Sequence, residues 1–273
     1  MRGEFVDVGG ARLYYYAAGS RGSGEPILLI HGFPTSSHLW HDLVPLLPSG
    51  HRVVVVDLLG YGRSDVPGDR DLSLRGHASR VIALLDVLGI GAATVVGHDV
   101  GGGVAQAMAI GWPARVTRLC LCNSVGFDQW PGRETRLARA AAPLTRHVPS
   151  DWIIPLVRRD LLRGYVVPSR GARSVEHYLR PFLAPEGREV LLRHLRALDA
   201  RETAGFEHRL GDVVVPTSVV WGAEDPFLPG TIAQRLARSI PCATLDYIPD
   251  VSHFVPEEAP ERLAQAIAGL VRQ

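Results

Sequence analysis

Residues 26–30, 53–56 and 93–96 are uninterrupted apolar runs, without the in–out alternation of a strand that faces water on one side. Strands of that kind are covered on both faces, as in a parallel sheet packed between helices. Residues 5–8 and 12–16 flank Gly9-Gly10 and read as a β-hairpin. Residues 72–88 separate two of the runs and place Val81, Leu84, Leu85 and Leu88 on one helical face. Residues 118–122, 213–220 and 243–248 read as further strands, and 260–271 as a closing amphipathic helix. The alternation predicts an α/β fold with a mostly parallel, doubly wound sheet. It breaks over 128–212, a stretch rich in proline and arginine with no strand-like run. That stretch reads as a helical lid inserted into a core formed by 1–127 and 213–273. The chain shows no internal repeat and no low-complexity segment.

A chain of 273 residues can bury a large core. Its formal charge of +1 and the lack of a basic stripe argue against nucleic acid or an anionic membrane as a partner. The N-terminus has no charged-then-apolar leader, and no apolar run approaches the roughly 18 residues of a membrane span. A cytoplasmic location is the expectation. Cys120 and Cys122 lie two apart in a strand-like run, so they share one face of the sheet. No histidine or cysteine follows them at zinc-like spacing, so they read as core residues; neither a metal nor another cofactor is expected.

The chemistry concentrates at Gly97-His98-Asp99-Val100-Gly101-Gly102, between the strand-like 94–96 and the helix-like 104–110. A Gly-x-nucleophile-x-Gly turn from strand to helix holds a reactive side chain on a strained elbow. A serine there needs a base to take its proton. An aspartate, with an ordinary pKa of about 3.9, is already ionised at neutral pH. It can displace a leaving group from carbon and form an alkyl ester, which leaves the histidine for a later step. Trp221-Gly222-Ala223-Glu224-Asp225-Pro226 follows one predicted strand, and Asp250-Val251-Ser252-His253-Phe254 follows the next. Asp99, Asp225 and His253 thus occur in the order nucleophile, acid, histidine, each at a strand end where side chains converge on one crevice. Asp128, after the strand that ends near Ser124, is the alternative acid.

With His31-Gly32-Phe33-Pro34 after the 26–30 strand, these segments make the chain resemble the α/β-hydrolase superfamily, in its epoxide hydrolase and haloalkane dehalogenase branch. The resemblance covers the chain outside the lid. It implies an oxyanion hole formed by the backbone N–H groups of Phe33 and Val100, with a cis peptide before Pro34. It assigns Tyr61, in Gly60-Tyr61-Gly62-Arg63-Ser64, a structural role. The implied reaction is attack by Asp99 on carbon, then hydrolysis of the ester by water that His253, oriented by Asp225, deprotonates.

The chain also departs from that branch. Haloalkane dehalogenases place a tryptophan after the nucleophile as a halide donor, and fluoroacetate dehalogenases place arginines there; this chain has Val100 and Gly103. Epoxide hydrolases use two lid tyrosines, and this lid holds Tyr165 and Tyr178, with Arg196-Ala197-Leu198-Asp199-Ala200 where the second is usual. Trp152 and Tyr178 are the candidate lid donors to substrate. His31 is expected to shape its loop, and His98 to lie in the core. The reading is an epoxide hydrolase for a small apolar molecule. The alternatives are a haloalkane-type dehalogenase and a binding or cyclisation protein that has lost hydrolysis. The sequence leaves the oligomeric state open.

Overall fold

The computed structural model describes residues 3–19, 24–145 and 148–272. Its strands are β1 (Glu4–Asp7), β2 (Arg12–Ala18), β3 (Gly24–Ile30), β4 (His51–Val56), β5 (Ala93–Asp99), β6 (Val116–Ser124), β7 (Thr217–Gly222) and β8 (Ala243–Ile248). They form one eight-stranded sheet in the order β1-β2-β4-β3-β5-β6-β7-β8. The first two are the predicted hairpin, and β2 runs antiparallel to β4; from β4 to β8 every pairing is parallel. Strand β5 is buried along its whole length between β3 and β6, which accounts for its unbroken apolar run.

The helices are α1 (Leu74–Val87), α2 (Val100–Gly111), α3 (Arg133–Thr145), α4 (Ser150–Leu162), α5 (Pro168–Leu179), α6 (Pro185–Ala197), α7 (Ala200–Phe206), α8 (Gly230–Ser239), α9 (Val255–Glu258) and α10 (Pro260–Val271). Helix α2 starts four residues before the apolar stretch that announced it. Gly101, Gly102 and Gly103 hide its first turn from a propensity reading. They are there for space: a Cβ on Gly101 would collide with the carbonyls of Ile30 and His31. Strand β7 begins at Thr217, four residues later than the pattern suggested. Pro216 has no N–H to give a ladder, and Val214 before it is exposed.

Among the described residues, the interval between β6 and β7 carries helices α3 to α7 and no strand. Helix α4 packs on α5, and α3 on α6. The insertion is tied down by polar contacts. The hydroxyls of Tyr165 and Tyr178 both donate to Glu257 of α9. The Val166 N–H donates to Glu258 at 2.8 Å, and the His253 N–H to the Gly164 carbonyl at 3.0 Å. Among the described residues, no helix is long and apolar enough to cross a membrane.

Candidate active site

Strand β5 delivers Asp99 to the start of α2 in a left-handed backbone conformation, φ 51° and ψ −121°. For a residue with a side chain this costs on the order of 1–3 kcal/mol. The turn is possible because Gly97 lacks a Cβ, which would strike the Gly101 carbonyl. The Phe33 N–H donates to Asp99 Oδ2 at 2.8 Å. The Phe33–Pro34 peptide is cis. Burial raises the Asp99 pKa above the ordinary carboxylate range, although His253 and the N–H groups of Val100 and Phe33 pull the other way. This differs from the ordinary carboxylate expected from sequence, and the cause is the depth at which the elbow sits.

His253 follows β8 and is 3% exposed. Its Nδ1 lies 2.8 Å from Asp225 Oδ2. The opposite oxygen of Asp225 accepts the N–H groups of Phe227 (2.8 Å) and Leu228 (3.1 Å) in the turn after β7. Asn123, at the end of β6, donates its side-chain amide to Asp225 Oδ2 at 2.7 Å and accepts the Gly222 N–H at 3.0 Å. Burial alone would raise the Asp225 pKa, but the His253 ring, Asn123 and the Phe227 N–H outweigh it and hold the carboxyl below its usual range. For His253 burial works against the charged ring; the charge and hydrogen bond of Asp225, with help from Asp99, hold its pKa above the ordinary histidine value. His98 Nε2–H donates to the His253 carbonyl at 2.9 Å and fixes that loop, while burial pushes the His98 pKa down to about 3 and keeps its ring neutral. His31 accepts the Leu58 N–H on Nε2 at 3.0 Å and faces the Gly32 carbonyl with Nδ1 at 2.9 Å, which pins the loop carrying Phe33.

Asp99, His253, Phe33 and Val100 line one cavity of about 90 Å³, closed by Val125, Val157, Leu161, Leu198 and Phe227. The structure brings Asp99, Asp225, His253 and the two N–H groups together. It leaves both candidate lid donors out of this cavity. Trp152 is 73% exposed, and Tyr178 is 1% exposed with its hydroxyl committed to Glu257. Asp128 pairs with Arg235 at 3.1 Å on the surface, away from His253. The lid instead contributes Trp130, Thr135 and Asp160 to the cavity wall. The Trp130 indole N–H is already spent on Thr203 Oγ1 at 2.6 Å. Burial raises the Asp160 pKa, opposed by Arg163 at 3.0 Å. Sequence reasoning missed Asn123, whose one signal was its place at a strand end beside the elbow strand. Among the described residues no three His, Cys, Asp or Glu side chains gather around a metal position. Cys120 and Cys122 are buried and unpaired in β6.

The alpha/beta hydrolase fold family matches residues 25–260. The chain belongs to that family. Among relatives of this alpha/beta hydrolase, haloalkane dehalogenase 2 of Mycobacterium tuberculosis is 32% identical over 278 residues, which covers 97% of this chain and 93% of the relative. The cis-3-alkyl-4-alkyloxetan-2-one decarboxylase of Shewanella oneidensis is 27% identical over 286 residues, covering 95% and 85%. A solved alpha/beta hydrolase fold protein from Burkholderia ambifaria shares 28% identity and a TM-score of 0.88 over 98% of this chain and 100% of its own. The protein is therefore an enzyme of the alpha/beta hydrolase class.

Proposed function

We propose that the protein is an epoxide hydrolase working through an Asp99 alkyl ester on a small apolar substrate. The observation that carries this reading is the seat of Asp99. Oδ2 rests on the Phe33 N–H at 2.8 Å, in a cavity where, among the described residues, the Trp130 indole N–H is taken by Thr203 and no side-chain N–H apart from the His253 ring stands ready to hold a halide. The other Asp99 oxygen attacks a ring carbon. The carbon–oxygen bond of the strained ring breaks, and the oxygen takes a proton at the lid side of the cavity, where Thr135 can hydrogen-bond to it and Asp160 is the titratable group.

The ester is neutral where Asp99 was charged. One of the charges that raise the His253 pKa is thereby lost, so the ring is a readier base in the ester than in the free protein. His253 deprotonates a water that attacks the ester carbonyl, and Oδ2 becomes the oxyanion on the N–H groups of Phe33 and Val100. Each such donor is worth about 10²–10³ in rate. The first product is a diol, and Asp99 is regenerated.

A dehalogenase is the second reading, favoured by the 32% identity to haloalkane dehalogenase 2. The oxetan-2-one decarboxylase speaks for the first, because its named substrate is also a strained oxygen ring. The deciding assay is a panel of short epoxides and haloalkanes scored for diol and for free halide. Diol without halide release is expected; halide release without diol formation overturns the reading. A single turnover in ¹⁸O-water should leave the first product unlabelled and the label in Asp99.

A further inference from the structure

A second, separate pocket of about 300 Å³ lies on the seam between lid and core and shares no lining residue with the Asp99 cavity. The core supplies His38, His41, Asp57 and Arg63; the lid supplies His177 and Arg180. Three of these form a continuous ring stack. His38 lies between His41, with centroids 4.4 Å apart and planes 4° from parallel, and His177, with centroids 4.1 Å apart.

The charge in this pocket is unbalanced. Its lining carboxylate, Asp57, is 1% exposed and engaged by backbone: Oδ1 accepts the Ser37 N–H at 2.6 Å and Oδ2 the Arg63 N–H at 2.9 Å. A second carboxylate, Asp42, faces only His41, at 3.2 Å from Nε2, and the Nδ1 of that ring lies 2.8 Å from the His38 carbonyl. The Arg63 guanidinium donates to the Tyr14 hydroxyl at 2.9 Å, a neutral partner, and its carbon stands 4.9 Å from the Tyr14 ring centroid. The Arg180 side chain meets no carboxylate among the described residues. Guanidinium groups match the paired oxygens of phosphate, sulfate and carboxylate, and such charge-assisted bonds are about twice as strong as neutral ones.

We propose that this pocket binds the oxyanion group of a small molecule, held by Arg63 from the core, by Arg180 from the lid and by the ring N–H groups of His38 and His177. The pocket resists positive charge: burial, then His177 and His41, push the His38 pKa down to about 4. Burial also lowers that of His177, with Arg63 and Arg180 adding to it. A bound oxyanion reverses this repulsion and lets the rings donate. Because its ligands come from both sides of the seam, the anion also ties the lid to the core, and it favours the docked lid by whatever affinity it has for that state.

The test uses the full chain, titrated by calorimetry at pH 7 with sodium sulfate, phosphate or acetate at ionic strength fixed with sodium chloride. One-site, saturable binding above the chloride background is expected for at least one anion, with ring signals of His38 and His177 shifting in the same titration. Tightest binding of acetate points to a carboxylate ligand, and of sulfate or phosphate to a tetrahedral head group. Arg180→Ala should weaken binding at least tenfold, and Arg180→Lys should recover part of it. Arg180 is exposed, so these variants keep the fold of the wild type. Failure of all three anions to saturate, or wild-type affinity in Arg180→Ala, overturns the proposal. Arg63→Ala is a second, independent variant expected to lose affinity to a similar degree.

Discussion

Asn123 donates to the same oxygen of Asp225 that faces the ring of His253, at 2.7 Å against 2.8 Å. The carboxylate is thus held from β6, from its own turn after β7 and from the histidine loop after β8. Removing the Asn123 amide takes one charge-assisted hydrogen bond from Asp225, which raises its pKa and loosens its grip on Nδ1. Asn123→Ala should lower kcat roughly tenfold, the size expected for a bond to a charged group. Asn123→Asp should cost more, because it sets a second negative charge against Asp225. Steady-state kinetics on both variants checks the order; equal activity of all three proteins would refute it.

The acid of the site can be tested against its rival directly. Asp225→Asn keeps the shape but cannot orient the ring in the same tautomer, a change that costs about 10⁴ in kcat in the serine protease triad. Here it should slow ester hydrolysis far more than alkylation, since alkylation needs no base. Asp128→Asn should stay within about twofold of wild type, because Asp128 is a surface partner of Arg235 in a pair of the kind worth at most ~1 kcal/mol. Rapid-quench measurement of both half-reactions separates the two, and a dead Asp128→Asn with an active Asp225→Asn would reverse the assignment.

The residues that carry this geometry were legible in the sequence, because strand ends and glycine-bounded turns leave local signatures. The lid was not, for a physical reason. Which side of a lid helix meets the cavity depends on how that helix docks. In α4, Ile154 and Leu161 are buried and Val157 lines the cavity; these positions recur every three or four residues along one face. Trp152 lies two residues before Ile154, about 200° around the helix from it, and so it faces water. Tyr178 is on the inner face of α5, but that face meets α9 and Phe254 and not the substrate cavity. Asn123 was hidden because its role exists only once β6 and β7 are paired.

Lid attachment should depend on pH through Glu202 of α7. Its carboxylate accepts the Leu74 N–H at 2.6 Å at the start of α1, and burial, reinforced by Asp71 and Asp199, raises its pKa to about 7 despite that bond. The folded state therefore holds the proton more tightly than the unfolded chain, whose value is about 4.5. The stability contribution is fully present below the unfolded value and is lost as pH rises through about 7. Glu202→Gln keeps an oxygen for Leu74 and has no charge to bury. It should be more stable than wild type by about 2–3 kcal/mol at pH 8 and nearly equal to it at about pH 4. Denaturant melts at the two pH values measure this, and a difference that does not grow with pH would contradict it.

The covalent step itself separates the two chemical readings. If His253 serves only as the base for water, His253→Gln should still alkylate Asp99 and then stall, since nothing in the site can activate the second step. Intact-protein mass should rise on mixing with substrate. Ring opening of an epoxide expels no atom, so the increment equals the whole substrate. Displacement of a halide loses the halogen, so the increment equals the substrate less hydrogen halide. The stalled adduct should map to the peptide carrying Asp99, and Asp99→Asn should abolish it. Val100 offers only an aliphatic side chain and the Trp130 indole N–H is bound to Thr203, so among the described residues a departing halide finds no side-chain N–H in this cavity other than that of the His253 ring. The whole-substrate increment is the expected outcome; the halide-deficient increment would instead make the protein a dehalogenase. A substrate that wild type turns over but that leaves no adduct on His253→Gln would show that Asp99 does not form the ester.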